Sequence, residues 1–456
     1  MTGGTGESLK GSATTEVRGT CSEADAGSWS DRRYGCPDLA PTLRTMSEPV
    51  SPDGTIVIVG ASLAGLRAAE EIRHEGHTGP VVIIGEEIYA PYDRPPLSKQ
   101  VLSGKWDVDR IHHHAPDAHD TLGLDFRLGR RATGVDTDTR TVTCSDGTEL
   151  VYDGLVIATG AAARSLPGTE GMSGVWMLRT LDDCLGIRAG IAAAGDHPRV
   201  VVVGAGFIGS EVAATCQGLG AVVTLLEAHH TPLARVLGNE MGQACADLHL
   251  ANGMDLRTGI TIDHLESDPE GPDPVTVYLD DGTRIPADVV VVGIGVSPSA
   301  SWLDGSGVTL DNGVLCDGSL FATERVVAAG DVANWVRPST GRPVRVEHWT
   351  NAAEGGAAAA RNLLAGSAGA VAYDPIPFFW SDQYTTKIQM IGLPGPEDEV
   401  VVVSGSGSEG KLVALYRTED RLGGVLTLSQ PAKLMGYRPL LAAGASFDEA
   451  LAHARA

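Results

Sequence analysis

The chain has 456 residues, 43% of them hydrophobic, and 58 Asp and Glu against 34 Lys and Arg, for a formal net charge of −24. The length suggests about two to four domains, and the apolar fraction is ample for a core. The acidic balance argues against nucleic-acid binding, which needs basic surface to neutralise phosphates, and against docking on an anionic membrane.

No apolar run approaches the ~20 residues that span a bilayer. The N-terminus lacks the apolar stretch of a signal peptide. The double arginine of "SDRRYGC" is followed by no hydrophobic segment, so a cytoplasmic protein is expected. Cysteines stand at 21, 36, 144, 184, 216, 245 and 316 with no Cys-x-x-Cys pair. An odd, scattered set fits reduced thiols.

Residues 1–52 are rich in Gly, Ser, Thr, Asp and Glu without periodicity and read as a disordered extension. Met46 precedes the first strand and is a candidate start, which the intact mass of the natively expressed protein would reveal. Two similar units follow. "TIVIVGASLAGLRAAEEIR…PVVIIGEE" begins at Thr55, and "RVVVVGAGFIGSEVAATCQGLGAVVTLLE" begins at Arg199. Each reads as strand, glycine turn, helix, strand and acid. Their strands are continuously apolar and β-branched, as in parallel sheets buried on both faces. Two such units imply two dinucleotide sites.

A dinucleotide turn needs one glycine for the bend, one for close approach of pyrophosphate and one for packing helix on strand. The helix N-terminus then offers free N–H groups and a positive dipole end. The second unit has all three, at Gly204, Gly206 and Gly209. Glu227 follows at the end of its next strand, where a carboxylate accepts from ribose hydroxyls and repels a 2′-phosphate. No Arg or Lys stands in Ala228, His229 and His230, so NADH is favoured over NADPH, although neutral histidines would tolerate the phosphate. The first unit has Gly60 and Gly65 but Ser62 between them, with Glu86 and Glu87 after its second strand.

Further along, "RIHHHAPDAHD" holds His112, His113, His114 and His119. Adjacent histidines in a polar segment fit a surface better than a metal site, and no metal is expected. "LVIATG" and "VVVVGIGV" read as buried strands entering glycine turns, at Ala158, Thr159 and Gly160 and at Gly295. "RVVAAGDVA" is a strand with a Gly-Asp turn at Gly330 and Asp331. "VTCSDGTELVYD" and "VTVYLDDGTRIPAD" carry Asp-Gly hairpin signals. From about Tyr373 the pattern suggests a small antiparallel sheet with helices.

"EEIYAPYDRPPLSKQVLSG", "LVIATGAAARSLPG", "VVVVGAGFIGSEVA", "GIGVSPS", "VVAAGDVA", "EHWTNAAEGG" and "FFWSDQY" together closely resemble the FAD-dependent NADH:ferredoxin reductases of oxygenase systems. The resemblance covers about residues 53 to 445. It implies an α/β fold with two Rossmann-like dinucleotide-binding domains, glutathione-reductase-like, and a C-terminal α+β domain. The expected divisions are 53–165 and 289–372 for the FAD domain, 166–288 for the NADH domain and 373–456 for the C-terminal domain. It places FAD on Gly60, Ser62, Gly65, Glu86 or Glu87, Arg94, Pro96, Lys99, Ala158, Thr159, Gly160, Gly330, Asp331 and Trp349. NADH falls to Gly204, Gly206, Gly209, Glu227 and Gly295. Lys99 and Glu211 are the pair implied near flavin N5. Read without the resemblance, Lys99 is a solvated loop residue, Glu211 a dipole-favoured glutamate, Asp331 a helix cap, and Trp349 and Trp380 core aromatics.

The implied reaction is hydride transfer from NADH to FAD, then single-electron delivery to a small [2Fe–2S] ferredoxin that feeds a cytochrome P450 or Rieske dioxygenase. The protein would be a monomer or weak homodimer. No cysteine lies on "PYDRPPLSKQVLSG", where a flavin disulfide reductase or a peroxidase-like relative needs one. Two alternatives remain: a flavin subunit serving a rubredoxin or another acceptor, and an apoptosis-inducing-factor type flavoprotein in which NADH binding switches association. Ferredoxins are acidic and so is this chain, so a local basic patch is required for steering. Arg337, Arg342 and Arg345 are the sequence's candidates.

With the complete fingerprint claimed by NADH, Ser62 falls to the FAD site, which has further contacts. Ser62→Gly is expected to purify with FAD retained at wild-type stoichiometry by absorbance. Apoprotein from that variant would contradict the assignment.

Overall fold

A computed structural model describes residues 46–113 and 122–455. Residues 1–45, with Cys21 and Cys36, and His114 and His119 lie outside the described residues.

The first unit builds a six-stranded sheet in the order Phe321–Thr323, Val326–Ala328, Gly154–Ile157, Ile56–Val59, Val81–Ile84 and Leu124–Arg127. All neighbours are parallel except the first pair. Every residue of Ile56–Val59, Val81–Ile84 and Gly154–Ile157 is buried, which is why these strands read as unbroken apolar runs. Helix α1 (Leu63–His74) starts at Ser62 and covers one face. Between Cys144 and Glu149 the expected Asp-Gly hairpin closes, and a third strand, Ala132–Asp136, joins it.

Helix α2 (Leu181–Ala193) opens on a capping box in which Thr180 and Asp183 satisfy each other's backbone N–H. The second unit forms a parallel sheet in the order Asp255–Thr258, Val222–Glu227, Arg199–Val203, Val289–Val292 and Val175–Met177. Helices α3 (Phe207–Gly218) and α4 (Ala234–Ala251) belong to it. Helix α5 (Trp349–Gly369) returns to the first domain. It crosses α1 so closely that a Cβ on Gly356 would lie 2.3 Å from the Ala64 carbonyl oxygen.

Two expected boundaries shift. The sequence division places Val289–Val292 in the returning half of the first domain, yet the strand pairs with Arg199–Val203 in the second sheet. The chain crosses between domains on two short antiparallel strands, Ala161–Ala163 and Val296–Pro298. Nor does the extension run to residue 52. The Ser47 backbone N–H donates to Ser367 Oγ at 2.9 Å, its hydroxyl accepts from Arg325 N at 3.1 Å, and Val50 is buried. Composition marked this stretch as polar, but backbone pairing holds it against the end of α5.

The C-terminal region is a five-stranded antiparallel sheet in the order Phe378–Gln383, Thr386–Gly392, Arg421–Leu428, Lys411–Thr418 and Glu399–Ser406, followed by helices α6 (Pro431–Ala442) and α7 (Phe447–Arg455). Leu237, Met241, Cys245 and Leu248 of α4 share a core with Phe379, Ile388, Met390 and Tyr416 of that sheet. The second and C-terminal domains are therefore joined by apolar packing.

The buried imidazole of His249 pins this joint, 2.8 Å from the Tyr384 hydroxyl and 3.1 Å from Ser210 Oγ. Burial pushes its pKa from 6.5 down to about 4. It stays neutral in the folded protein and gains a proton on unfolding, so its stability contribution is complete above pH 6.5 and is lost as pH falls towards 4. The size is at most about 3.5 kcal/mol. Urea midpoints measured across that window should fall for wild type and fall less steeply for His249→Gln. Parallel curves would assign the acid sensitivity to other groups.

Candidate functional site

The two glycine turns open onto one cleft of about 1520 Å³. At each turn the first glycine has a positive φ, +119° at Gly60 and +98° at Gly204, which other residues adopt only with strain. A Cβ on Gly65 would lie 1.9 Å from the Gly60 oxygen, and one on Gly209 would lie 1.9 Å from the Gly204 oxygen. These third glycines sit beneath the cleft and do not line it. Gly206 does line it, with only the Gly293 oxygen, at 3.9 Å, within 4 Å of a Cβ there. Neither α1 nor α3 has a side-chain cap on its first N–H groups.

Those features fit two bound dinucleotides. Uncapped helix ends and a glycine cradle suit pyrophosphate. Among the described residues, the buried Nδ1 of His348 and Nε of Arg345 have no hydrogen-bond partner, and both residues line the cleft. Unpaired polar atoms there suit a polar ring or phosphate edge rather than an apolar ligand.

Gly60, Ser62, Glu86, Glu87, Arg94, Lys99, Ala158, Thr159, Gly160, Gly330, Asp331 and Trp349 all lie on the wall, as do Gly204, Glu211, Glu227 and Gly295. Pro96 does not. It is buried in the 3₁₀ turn Pro95–Ser98, and Pro95 takes its place on the wall. Spacing alone cannot say which of two adjacent prolines turns inward.

The two acids of the first unit are not equivalent. Glu87 accepts from the Tyr92 hydroxyl at 2.5 Å and pairs with Arg94 at 2.5 Å. Glu86 is 70% exposed and 3.8 Å from Arg131, so it is the acid left open to a ribose. In the second unit Glu227 is pinned, accepting from Ala205 N at 2.8 Å and His229 N at 2.9 Å. The register aligns Ile84 with Val59 and Leu226 with Val203, so the position matching Glu227 is Gly85. Arg94 spans the first turn, reaching Ser62 Oγ at 3.4 Å and the Arg179 carbonyl at 2.6 Å.

The two halves of the cleft meet at Glu211. Its Oε2 accepts from Ser98 Oγ at 2.5 Å and from Lys99 Nζ at 2.8 Å. Its Oε1 accepts from Ser381 Oγ at 2.8 Å and from Asp382 N at 3.0 Å. The Lys99 and Glu211 side chains are only 11% and 3% exposed. Nearby, Trp349 Nε1 donates to Asp93 at 2.6 Å, and its ring meets Trp380 edge-on at 6.1 Å.

Sequence reasoning missed several residues. Arg179 pairs with Asp331 at 2.9 Å, an arginine with no glycine motif beside it. Tyr92 and Ser98 lie in "EEIYAPYDRPPLSKQVLSG" and Ser381 in "FFWSDQY", but nothing in their spacing names their partners. The proposed arginine patch does not form. Arg337 pairs with Asp374 at 2.6 Å, and Arg345 pairs with Glu347 at 2.7 Å and reaches the Asp331 carbonyl at 3.0 Å. Of the three, Arg342 is the one exposed, the other two being half-buried. Among the histidines, His112 packs edge-on against Tyr92 at 6.5 Å.

The described cysteines, at 144, 184, 216, 245 and 316, are all buried and none lines the cleft. Burial pushes the thiols of Cys184, Cys216 and Cys245 up to about 12, which removes the thiolate needed for attack. Among the described residues, no helix is long and apolar enough to cross a membrane.

Residues 54–356 match the family model for pyridine nucleotide-disulphide oxidoreductases, and residues 378–456 match the reductase C-terminal family. The chain is 34% identical over 390 residues to putidaredoxin reductase of Pseudomonas putida, covering 84% of this chain and 90% of that protein. It is 36% identical over 370 residues to the ferredoxin–NAD(+) reductase component of the anthranilate 1,2-dioxygenase system of Burkholderia cepacia, covering 78% and 89%. The covalent putidaredoxin reductase–putidaredoxin complex is similar in structure, with a TM-score of 0.80 at 33% identity over 86% of this chain and 93% of that one. The chain belongs to the pyridine nucleotide-disulphide oxidoreductases, among the ferredoxin reductases of oxygenase systems.

Proposed function

We propose that this protein oxidises NADH through bound FAD and delivers electrons singly to a [2Fe–2S] ferredoxin that feeds an oxygenase in the cytoplasm. The observation that carries the reading is one continuous cleft. It joins a glycine turn of each domain and is lined by no cysteine among the described residues. FAD, when bound, supplies an acceptor for two electrons that can release them one at a time.

The chain's own residues bind, orient and tune. Gly60, Ser62 and the open end of α1, with Arg94 and Asp331, would hold the pyrophosphate of FAD. Gly206 and the open end of α3 would hold that of NADH. Glu227, held by two backbone N–H groups, offers its remaining lone pairs to the ribose of NADH and repels a 2′-phosphate. Lys99 is fixed by Glu211 and stands as the cation at the junction. Trp349, anchored by Asp93, closes the wall beside it. No side chain is required as a nucleophile or general base, so rate depends on alignment and on the field at the junction.

Anaerobic rapid mixing tests the reading. Flavin reduction by NADH should be fast, and a [2Fe–2S] ferredoxin or cytochrome acceptor should then reoxidise it quickly. Slow reduction with no fast transfer would favour a sensing role. Glu227→Ala should weaken NADH about tenfold by loss of a charged hydrogen-bond acceptor. The limiting rate should hold, and the preference over NADPH should shrink. An unchanged NADH to NADPH ratio would remove Glu227 from selection.

A further inference from the structure

The contacts to Glu211 come from three separate stretches of chain. Ser98 and Lys99 belong to the first domain, Glu211 to α3 of the second, and Ser381 and Asp382 to the edge strand Phe378–Gln383 of the C-terminal sheet. Ser381 and Gln383 are 0% exposed. Gln383 Nε2 donates to Ser381 Oγ at 3.3 Å, and the serine proton is thereby directed at Glu211. The result is a buried relay, Gln383 to Ser381 to Glu211, with Lys99 on the far side of the same carboxylate.

We propose that Ser381, oriented by Gln383, is a positioning residue through which the C-terminal domain sets the Lys99 ammonium at the junction of the cleft. The inference rests on the functional reading above, with the flavin beside Lys99 and Glu211 as the family resemblance implies. A carboxylate with four donors has its charge spread over all of them, and in a low-dielectric interior each donor changes the others. Removing the serine hydroxyl leaves more negative charge unmatched on Glu211. That charge draws harder on Lys99 and weakens the positive field facing the cleft. Reduced flavin, which carries the added negative charge, is then less stabilised.

The test uses FAD-loaded protein. Ser381→Ala should lower the flavin midpoint potential, shift the flavin visible spectrum and slow reduction by NADH about tenfold, with the NAD⁺ dissociation constant within about twofold of wild type. Ser381→Thr, which restores a hydroxyl, should return the potential towards wild type. Gln383→Leu should shift the potential in the same direction by a smaller amount, and it carries the test if Ser381→Ala does not fold. A merely structural role would lower the melting temperature and leave the potential unmoved. Wild-type potential and reduction rate in the serine and glutamine variants would overturn the inference. Wild-type protein that NADH fails to reduce would instead overturn the functional reading, and this inference with it.

Discussion

The cleft depends on one buried carboxylate. An ionised carboxylate removed from water costs several kcal/mol unless donors replace the solvent. Glu211 recovers that loss from an ammonium, two hydroxyls and a backbone N–H. No single domain supplies them. The side chain is satisfied only when the first domain's turn, the second domain's helix and the C-terminal edge strand are all in place. Because a half-satisfied network is worse than none, this constraint favours one relative placement of the three domains.

Around that point the chain solves one problem twice, with a telling difference. Both turns use a left-handed glycine and a helix packed on a glycine. The second unit then ties its strand-end acid to the turn through Ala205 N. The first has Gly85 at the matching register, where a Cβ would come within 2.6 Å of the Ala61 Cβ. Its acids come later, and one of them is bound to Arg94. The guanidinium crossing from Glu87 to Ser62 does for the first turn part of what the Glu227 carboxylate, accepting from Ala205 N, does for the second. The serine of "GASLAG" is thus a partner in a side-chain bridge, a role that a fingerprint glycine could not fill.

What was legible in the sequence was local. Glycine turns, buried strands and Asp-Gly hairpins each depend on residues a few positions apart, so their order along the chain reveals them. Contacts between distant segments leave no such trace. Arg179 and Asp331 lie 152 positions apart, and Glu211 and Ser381 lie 170 apart. Val289–Val292 reads as a buried strand in either sheet, and only its pairing decides which one. Ser47 and Val50 sit in a polar stretch whose order comes from partners near residues 325 and 367. The arginines after the Gly-Asp turn show the same limit from the other side. Clustered in sequence, Arg337 and Arg345 are spent on Asp374 and Glu347, so proximity in sequence did not make a free cationic surface.

The described thiols bear on the chemistry through where they lie. In a cleft with a cysteine pair, electrons can pass to a disulfide held inside the protein. Here the described cysteines are packed away from the wall, and burial keeps those thiols protonated. Among the described residues, no thiol stands on the cleft wall to take up electrons. Trp349 and Trp380 stand on that wall, where they meet edge-on and are only partly buried. The indole of Trp349 is held by Asp93, on the same loop that carries Lys99. The loop therefore fixes both the cation of the junction and part of its aromatic wall, and a shift in one would be felt by the other.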